Sequence, residues 1–373
     1  MGDRTLLVVA CLNREVPYFP GARGKGIAVF SFNDATGALI KLSEETGVDN
    51  PNYLAVHEGN RCVYAVSDVL GLNEGLVTAH RLDPTTGRFS YVNEQGTLGS
   101  LPAYASFDHA GKFLLIANYS MDTALSDRSP NKAIAVMPIR RDGGVDAPVA
   151  SRAHPGKGPN AQRQERSHAH CIMATPDNRH VVVADLGIDK LMVYRFDGNT
   201  GGLTPGEVPY INLPPGSGPR HFIFHPSTRF AYVINELEST IAALSFDQSR
   251  GSFQLLNVVP ALPTGHREVS HCADLQINPD GRFLYGSTRG HDSIVIHTVD
   301  QSTGRLMLVG HQPTLGETPR NFAIDPLGRY LVVANQNGDS LIVFRIDDRT
   351  GRLVDTGNRA EIGTPLCVKF ACF

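Results

Sequence analysis

One pattern recurs seven times along the 373 residues, and it leaves few folds open. The copy from Gly218 to Asp247, GPRHFIFHPSTRFAYVINELESTIAALSFD, reads as three short apolar runs rich in Phe, Val, Ile and Tyr. Turn residues interrupt the runs, which is the pattern of strands rather than of helices. A fourth run, SFQLLNVV from Ser252 to Val259, follows the Gly251 turn. The unit is therefore a four-stranded antiparallel meander. Its second strand recurs as LLVVACL, CVYAVSD, FLLIANY, HVVVADL, FAYVINE, FLYGSTR and YLVVANQ. The hairpin between its third and fourth strands recurs at Asp34, Asp83, Arg141, Asp197, Asp247, Asp300 and Asp347 as DATG, DPTTG, RDGG, DGNTG, DQSRG, DQSTG and DDRTG. A repeat of about 50 residues marks a propeller or an array.

These copies predict an all-β, seven-bladed β-propeller of four-stranded antiparallel blades, with residues 1–373 forming one domain. Six first-strand copies lie inside the chain: NYLAV, AYASF, HCIMA, HFIFH, ADLQI and NFAID. The seventh is expected from TPLCVKF at Thr364 to Phe370, so that the C-terminal strand pairs with the N-terminal blade and closes the ring without an open edge.

Composition narrows the class further. The 37 Gly and 24 Pro suit a chain full of tight turns, and no stretch approaches the ~20 apolar residues of a membrane helix. Net charge is only −3 and Lys and Arg are scattered, which argues against a nucleic-acid partner. The six cysteines show no CxxC spacing and lie in or beside apolar strands, as buried reduced thiols do. LLVVACL is at the short limit of a signal-peptide core and follows the acidic Asp3, so it reads as a strand; the expected location is cytoplasmic.

Strand direction separates two faces. The turns HEGN, DHAG, TPDN, HPST, NPDG and DPLG are short and uniform. The opposite connections, Asn13 to Lys25, Met121 to Lys132, Arg152 to Ser167 and Pro260 to Val269, are long and irregular, as site-bearing loops are. On that face first-strand starts bring His168, His170, Arg220, His221, His271 and Arg320. Second-strand ends bring Asp68, Asn118, Asp185, Glu236, Arg289 and Asn335. Asp68, Asp185 and Asn335 are expected to cap turns. Three arginines and several histidines around Glu236 point to an anion pocket, since guanidinium grips phosphate or carboxylate with paired hydrogen bonds. Burial at the mouth is expected to raise the Glu236 pKa, and an ion pair with Arg220 is the structural alternative. His168 and His170, two apart on a strand, share a side, but two histidines without a third ligand do not make a metal site. GARGKG, Gly21 to Gly26, precedes a strand and lacks the helix N-terminus of a phosphate loop.

The ordered motifs SHAH at Ser167, GPRHFIFHP at Gly218, VINELEST at Val233, ADLQINPDGRFLY at Ala273, STRGHDSI at Ser287, TPRNFAIDPLG at Thr318 and the ending CVKF resemble the seven-bladed propeller lactonase family along the whole chain. That family includes bacterial 6-phosphogluconolactonases and fungal carboxy-cis,cis-muconate cyclases. The resemblance implies a lactone-acting enzyme without an established cofactor, with its histidine at His170, its arginines at Arg220 and Arg289 and its glutamate at Glu236. Hydrolysis of 6-phosphogluconolactone is the foremost reading. Alternatives are a carboxymuconate cycloisomerase, a lactonase for another lactone, a metal-dependent hydrolase or a non-catalytic binding platform. In the hydrolase reading His170 is the base, Glu236 orients it or the water, and Arg220 and Arg289 hold the oxyanion. His168, His221, His271 and Arg320, with the basic loop carrying Lys157, Arg163 and Arg166, bind the anionic substrate. The expected partner is that small molecule alone, with a monomer or weak homo-oligomer and no metal.

Overall fold

A computed structural model describes residues 4–16, 21–69, 72, 74–120 and 131–373. Of the long connections, residues 17–20 and 121–130 lie outside the described residues. Twenty-eight strands form seven four-stranded antiparallel sheets, and the only helical turns among the described residues are two short 3-10 segments. The innermost strands are β4 (Pro51–His57), β8 (Pro102–Phe107), β12 (Ala169–Ala174), β16 (Pro219–Phe224), β20 (His271–Ile277), β24 (Pro319–Ile324) and β28 (Pro365–Cys372). No helix among the described residues is long and apolar enough to cross a membrane.

The ring closes as its repeats predict. β28 pairs antiparallel with β1 (Thr5–Cys11), Leu6 opposite Ala371 and Val9 opposite Val368. LLVVAC is thus a fully buried strand with a partner on each side. Apolar side chains fill the spaces between adjacent blades; one cluster joins Leu7, Val9 and Phe30 to Val332, Val343 and Val368 across the closure. Second-strand tyrosines lock neighbours together. Tyr232 donates to the carbonyl of Gly304 at 3.1 Å and Tyr285 to that of Gly351 at 2.9 Å. These are the hairpin glycines of the repeat, and a Cβ on Gly304, at φ +72°, would lie 2.4 Å from the Phe230 ring. The turn needs both the left-handed backbone and the missing side chain. GARGKG likewise serves packing. Gly24 donates to Leu12 O at 2.8 Å, and a Cβ there would lie 2.6 Å from Cys11 Cβ.

A shared irregularity places the site. In six innermost strands the ladder slips by one residue near the start, leaving Asn52, Ala103, His170, Arg220, Arg320 and Leu366 as the extra residues. In β20 the slip spans Ala273 and Asp274. A bulge re-aims its side chain, and here all six extra residues line one cavity on the axis.

Of the buried histidines outside that cavity, one has neither ring nitrogen satisfied. His297, on β22 (Ser293–Val299), is 1% exposed, and neither ring nitrogen has a hydrogen-bond partner. Burial, with a smaller effect from His311, pushes its pKa down to about 4. A histidine with a depressed folded pKa contributes stability that is complete above its unfolded value near 6.5 and is lost as pH falls toward the folded one. His297→Leu removes unsatisfied buried nitrogen worth about 1–3 kcal/mol. At about 0.8 kcal/mol per degree for a chain this long, Tm rises by ~1–4 °C at pH 8 and by ~2 °C more at pH 5, where wild type alone is penalised. Calorimetry at both pH values checks this; a variant that melts below wild type contradicts it.

Candidate active site

The cavity has a volume of about 280 Å³ and opens on the face of long loops. First-strand starts supply Asn52, Ala103, His170, Arg220, His271, Arg320 and Leu366. Second-strand ends supply Leu12, Tyr119, Glu236 and Arg289, and loops add Leu101 and Arg163. Four guanidinium groups thus face one carboxylate, an excess of three positive charges.

Glu236, 4% exposed, is held by three of the four. Arg220 Nε donates to Oε2 at 2.9 Å, Arg289 Nη2 lies 3.0 Å from the same oxygen, and Arg163 Nη2 donates to Oε1 at 2.5 Å. Burial alone would raise its pKa. The fields of Arg289, Arg220 and Arg163 overcome burial and hold the carboxyl well below the ordinary range. The expected upward shift is therefore corrected, and the anticipated ion pair with Arg220 is one arm of a larger cluster. Ionised and fully engaged, Glu236 orders arginines and is a poor proton acceptor.

Arg320 differs from the other three. It has no hydrogen-bond or ion-pair partner among the described residues. Burial, then the fields of Arg220 and Arg289, push its pKa down to about 9. It remains cationic at neutral pH with its donors unclaimed. Burial and the field of Arg289 push Arg220 to about 10.

His170 is 4% exposed, with its ring 5.5 Å from Tyr119 and 5.2 Å from His221. Nδ1 is buried without a partner. Burial, then the charge of Arg220, hold His170 well below the usual imidazole range, so it is neutral. His271 also lines the cavity, with its pKa lowered first by burial.

His168 and His221 do not line it. The bulge at His170 breaks the alternation that would keep His168 and His170 on one side. His168 instead stacks behind Tyr119 at 4.5 Å, with Nδ1 donating to Tyr119 O at 2.7 Å and Nε2 3.2 Å from Glu165 Oε2. His221 lies one layer deeper, against Asp274. Among the described residues no three His, Cys, Asp or Glu side chains converge as a metal site requires.

The basic loop splits in the same way. Only Arg163 enters the cavity, where Nη2 also donates to Tyr119 Oη at 3.2 Å. Lys157 is exposed, and Arg166 pairs with Glu165 at 3.2 Å. The loop is pinned beside Arg163 by Gln164, fully buried, whose Nε2 donates to Leu186 O at 2.8 Å and Asp189 Oδ1 at 2.7 Å.

Second-strand ends show a one-residue offset from expectation. Asn118, Asp185 and Asn335 turn away from the axis and tie down loops. Asp185 caps the next turn by accepting from the amides of His168 and Gly187 at 2.8 and 3.1 Å. Asn118 and Asn335 donate to the carbonyls of Thr97 and Thr314 at 2.9 and 3.1 Å. The residue after Asn118 is the one that faces the cavity, which is how Tyr119 escapes a reading based on charged residues. Arg289 is bonded inward, to the carbonyl of Cys272 at 3.0 Å as well as to Glu236, and pairs with neither Asp292 nor Glu317.

Known proteins show the same ring. The chain matches the family described as Lactonase, 7-bladed beta-propeller, over residues 7–370. It is 35% identical over 298 residues to the 6-phosphogluconolactonase of Bacillus subtilis, covering 80% of each chain. To the 6-phosphogluconolactonase of Formosa agariphila it is 33% identical over 305 residues, covering 81% of this chain and 82% of the relative. The solved structure of the Pseudomonas aeruginosa periplasmic gluconolactonase PpgL superposes with a TM-score of 0.88 at 31% identity, over 99% of each chain. A cavity of clustered arginines around one buried carboxylate, built on seven bulged blades and matched along almost the whole chain, leads to one conclusion: the protein belongs to the seven-bladed β-propeller lactonase family.

Proposed function

We propose that the chain is a lactonase that hydrolyses 6-phosphogluconolactone to 6-phosphogluconate. The observation that carries this reading is the cavity's excess of three positive charges beside a neutral imidazole. The relatives named for the same reaction support it.

In this scheme the phosphate lies against Arg320, whose donors are unclaimed, with Arg163 beside it. The lactone carbonyl faces Arg220 and Arg289. A water oxygen bonds to the carbonyl carbon as His170 takes its proton, and the carbonyl electron pair moves onto oxygen, where the two guanidinium groups stabilise it. Collapse re-forms the carbonyl and breaks the ring C–O bond, and the ring oxygen takes the proton back from His170. Burial and the charge of Arg220 depress the basicity of His170. A bound dianion offsets the arginine field and raises it toward the working range, so the base is strengthened by the substrate's own charge. Glu236 sets the arginine positions, His271 contacts substrate, and His168 braces Tyr119. The scheme calls on no cofactor.

We further assign the protein to the cytoplasm, acting as a monomer or weak homo-oligomer; the five buried thiols of Cys11, Cys62, Cys171, Cys272 and Cys367 support a reducing compartment. The muconate cycloisomerase stands as the second reading, because the same cationic cavity suits a tricarboxylate. A pH-stat assay on 6-phosphogluconolactone, corrected for spontaneous opening and paired with product analysis on carboxymuconate, separates the two. Catalysed acid release from the phosphorylated lactone is expected. Turnover of carboxymuconate alone would reverse the assignment.

A further inference from the structure

Beneath the cavity floor, the residues following the one-residue bulges, together with Asp274 from the β20 slip, form a second layer around the axis. It contains a histidine and a carboxylate that the scheme above leaves without a chemical role, His221 and Asp274. Both are buried, at 3% and 1% exposure. His221 Nδ1 lies 2.7 Å from Asp274 Oδ1, and Arg220 Nη1 lies 3.2 Å from His221 Nε2. A carboxylate can only accept and a guanidinium can only donate, which fixes the proton on Nδ1 and the lone pair on Nε2.

Arg220 has five N–H bonds to place. Nε donates to Glu236 Oε2 at 2.9 Å, and Nη1 donates to Ala273 O at 2.7 Å and to His221 Nε2. The two on Nη2 have no partner among the described residues, and Arg220 borders the cavity. The acceptors on the other three N–H bonds thus decide where that free edge points. Asp274 is itself immobilised. Oδ2 accepts from Asn321 Nδ2 at 2.6 Å and Phe322 N at 3.3 Å, and Oδ1 also accepts from Leu275 N at 2.9 Å. Asn321 Oδ1 in turn accepts from Val368 N at 2.7 Å. The chain of bonds crosses four consecutive innermost strands, β16, β20, β24 and β28.

We propose that Asp274 and His221 are a positioning pair for the lactonase reaction: Asp274 holds His221 in the Nδ1–H tautomer, and His221 Nε2 aims Arg220 so that its Nη2 edge meets the developing oxyanion. This rests on the lactonase reading for its kinetic consequence but not for its tautomer. The pair acts through Arg220 and touches no substrate, so its loss lowers kcat more than it alters KM.

Two substitutions divide the ring's functions. His221→Gln places an amide oxygen near Nε2 and keeps the acceptor for Arg220; His221→Asn places its amide near Nδ1 and keeps only the link to Asp274. His221→Asn is expected to lower kcat for 6-phosphogluconolactone by ~10- to 100-fold, the scale of misplacing a reacting group, while KM moves severalfold at most. His221→Gln recovers most of that loss, although both variants give up one buried bond and melt below wild type together. Equal kcat in the two variants would overturn the proposal, because a purely structural ring would treat them alike. An independent arm needs no turnover. In the imidazole ¹⁵N spectrum of wild type at pH 7, the signals that vanish in His221→Gln show Nδ1 protonated and Nε2 bare. A bare Nδ1 would overturn the proposal. Absence of wild-type turnover with the expected tautomer would instead count against the lactonase reading and leave the positioning of Arg220 standing.

Discussion

Arg220→Ala is expected to lower kcat for lactone hydrolysis by roughly 10²–10³-fold, equivalent to about 2.7–4 kcal/mol of transition-state stabilisation. Arg220 is 2% exposed, and three of its N–H bonds are spent on Glu236, His221 and Ala273, which removes the freedom a surface arginine would have. Its free edge is preorganised, so the stabilisation is available at the moment of reaction without rearrangement. Arg220→Lys is expected to restore little. A lysine offers one point charge and cannot bond Glu236, Ala273 and an oxyanion in the fork geometry. Steady-state kinetics on variants checked for retained melting transitions measure this. A kcat within threefold of wild type in Arg220→Ala would remove Arg220 from the mechanism.

Glu236→Ala has the largest expected effect on stability. It leaves Arg163, Arg220 and Arg289 around a buried space with no shared counter-charge. Removing one partner from a buried ionic cluster costs about 3–5 kcal/mol. The lower end applies here, because the Arg163 side chain is 34% exposed and water screens it. At about 0.8 kcal/mol per degree, Tm falls by ~4 °C. Inorganic phosphate, which can sit among the freed guanidinium groups, is expected to recover part of that loss in the variant. The pH dependence has a defined sign. The folded pKa of Glu236 lies well below its ordinary value near 4.5, so its contribution is complete above that value and is lost as pH falls toward the folded one. The gap in Tm between wild type and variant is constant above pH ~5 and narrows in acid. A variant as stable as wild type at pH 7 would show that the carboxylate does not hold the cluster together.

The propeller was legible in the sequence because each blade repeats the same local instructions. Phe230 and Tyr232 recur as Phe283 and Tyr285, and the hairpin glycines Gly304 and Gly351 stand where only a glycine fits. Closure by TPLCVKF followed from counting first strands. The site was legible where a side chain sits on a bulge that recurs in register, as with His170, Arg220 and Arg320. Four details escaped for physical reasons. A one-residue offset at the end of a strand exchanges the two faces, so Asn118 was placed where Tyr119 stands. Arg163 was named only together with Lys157 and Arg166, because it arrives on a loop with no periodicity, and the buried Gln164 beside it explains why it alone holds a fixed position at the cavity. The direction of the Glu236 shift depends on Arg289 and Arg163, from another blade and a loop, whose approach outweighs desolvation. Asp274 was invisible as a partner of His221 because the two are 53 residues apart, one blade repeat, and meet only once the ring has formed.

The central claim is that an unclaimed cation in this cavity selects an anionic lactone. The direct measurement is kcat/KM for 6-phosphogluconolactone and for gluconolactone, in wild type and in Arg320→Ala, each corrected for spontaneous ring opening. Wild type is expected to favour the phosphorylated lactone by at least ~10²-fold, and Arg320→Ala to lose most of that preference through the phosphorylated substrate alone, with gluconolactone turnover little changed. Equal rates on the two lactones in wild type, or a preference untouched by Arg320→Ala, would contradict the account.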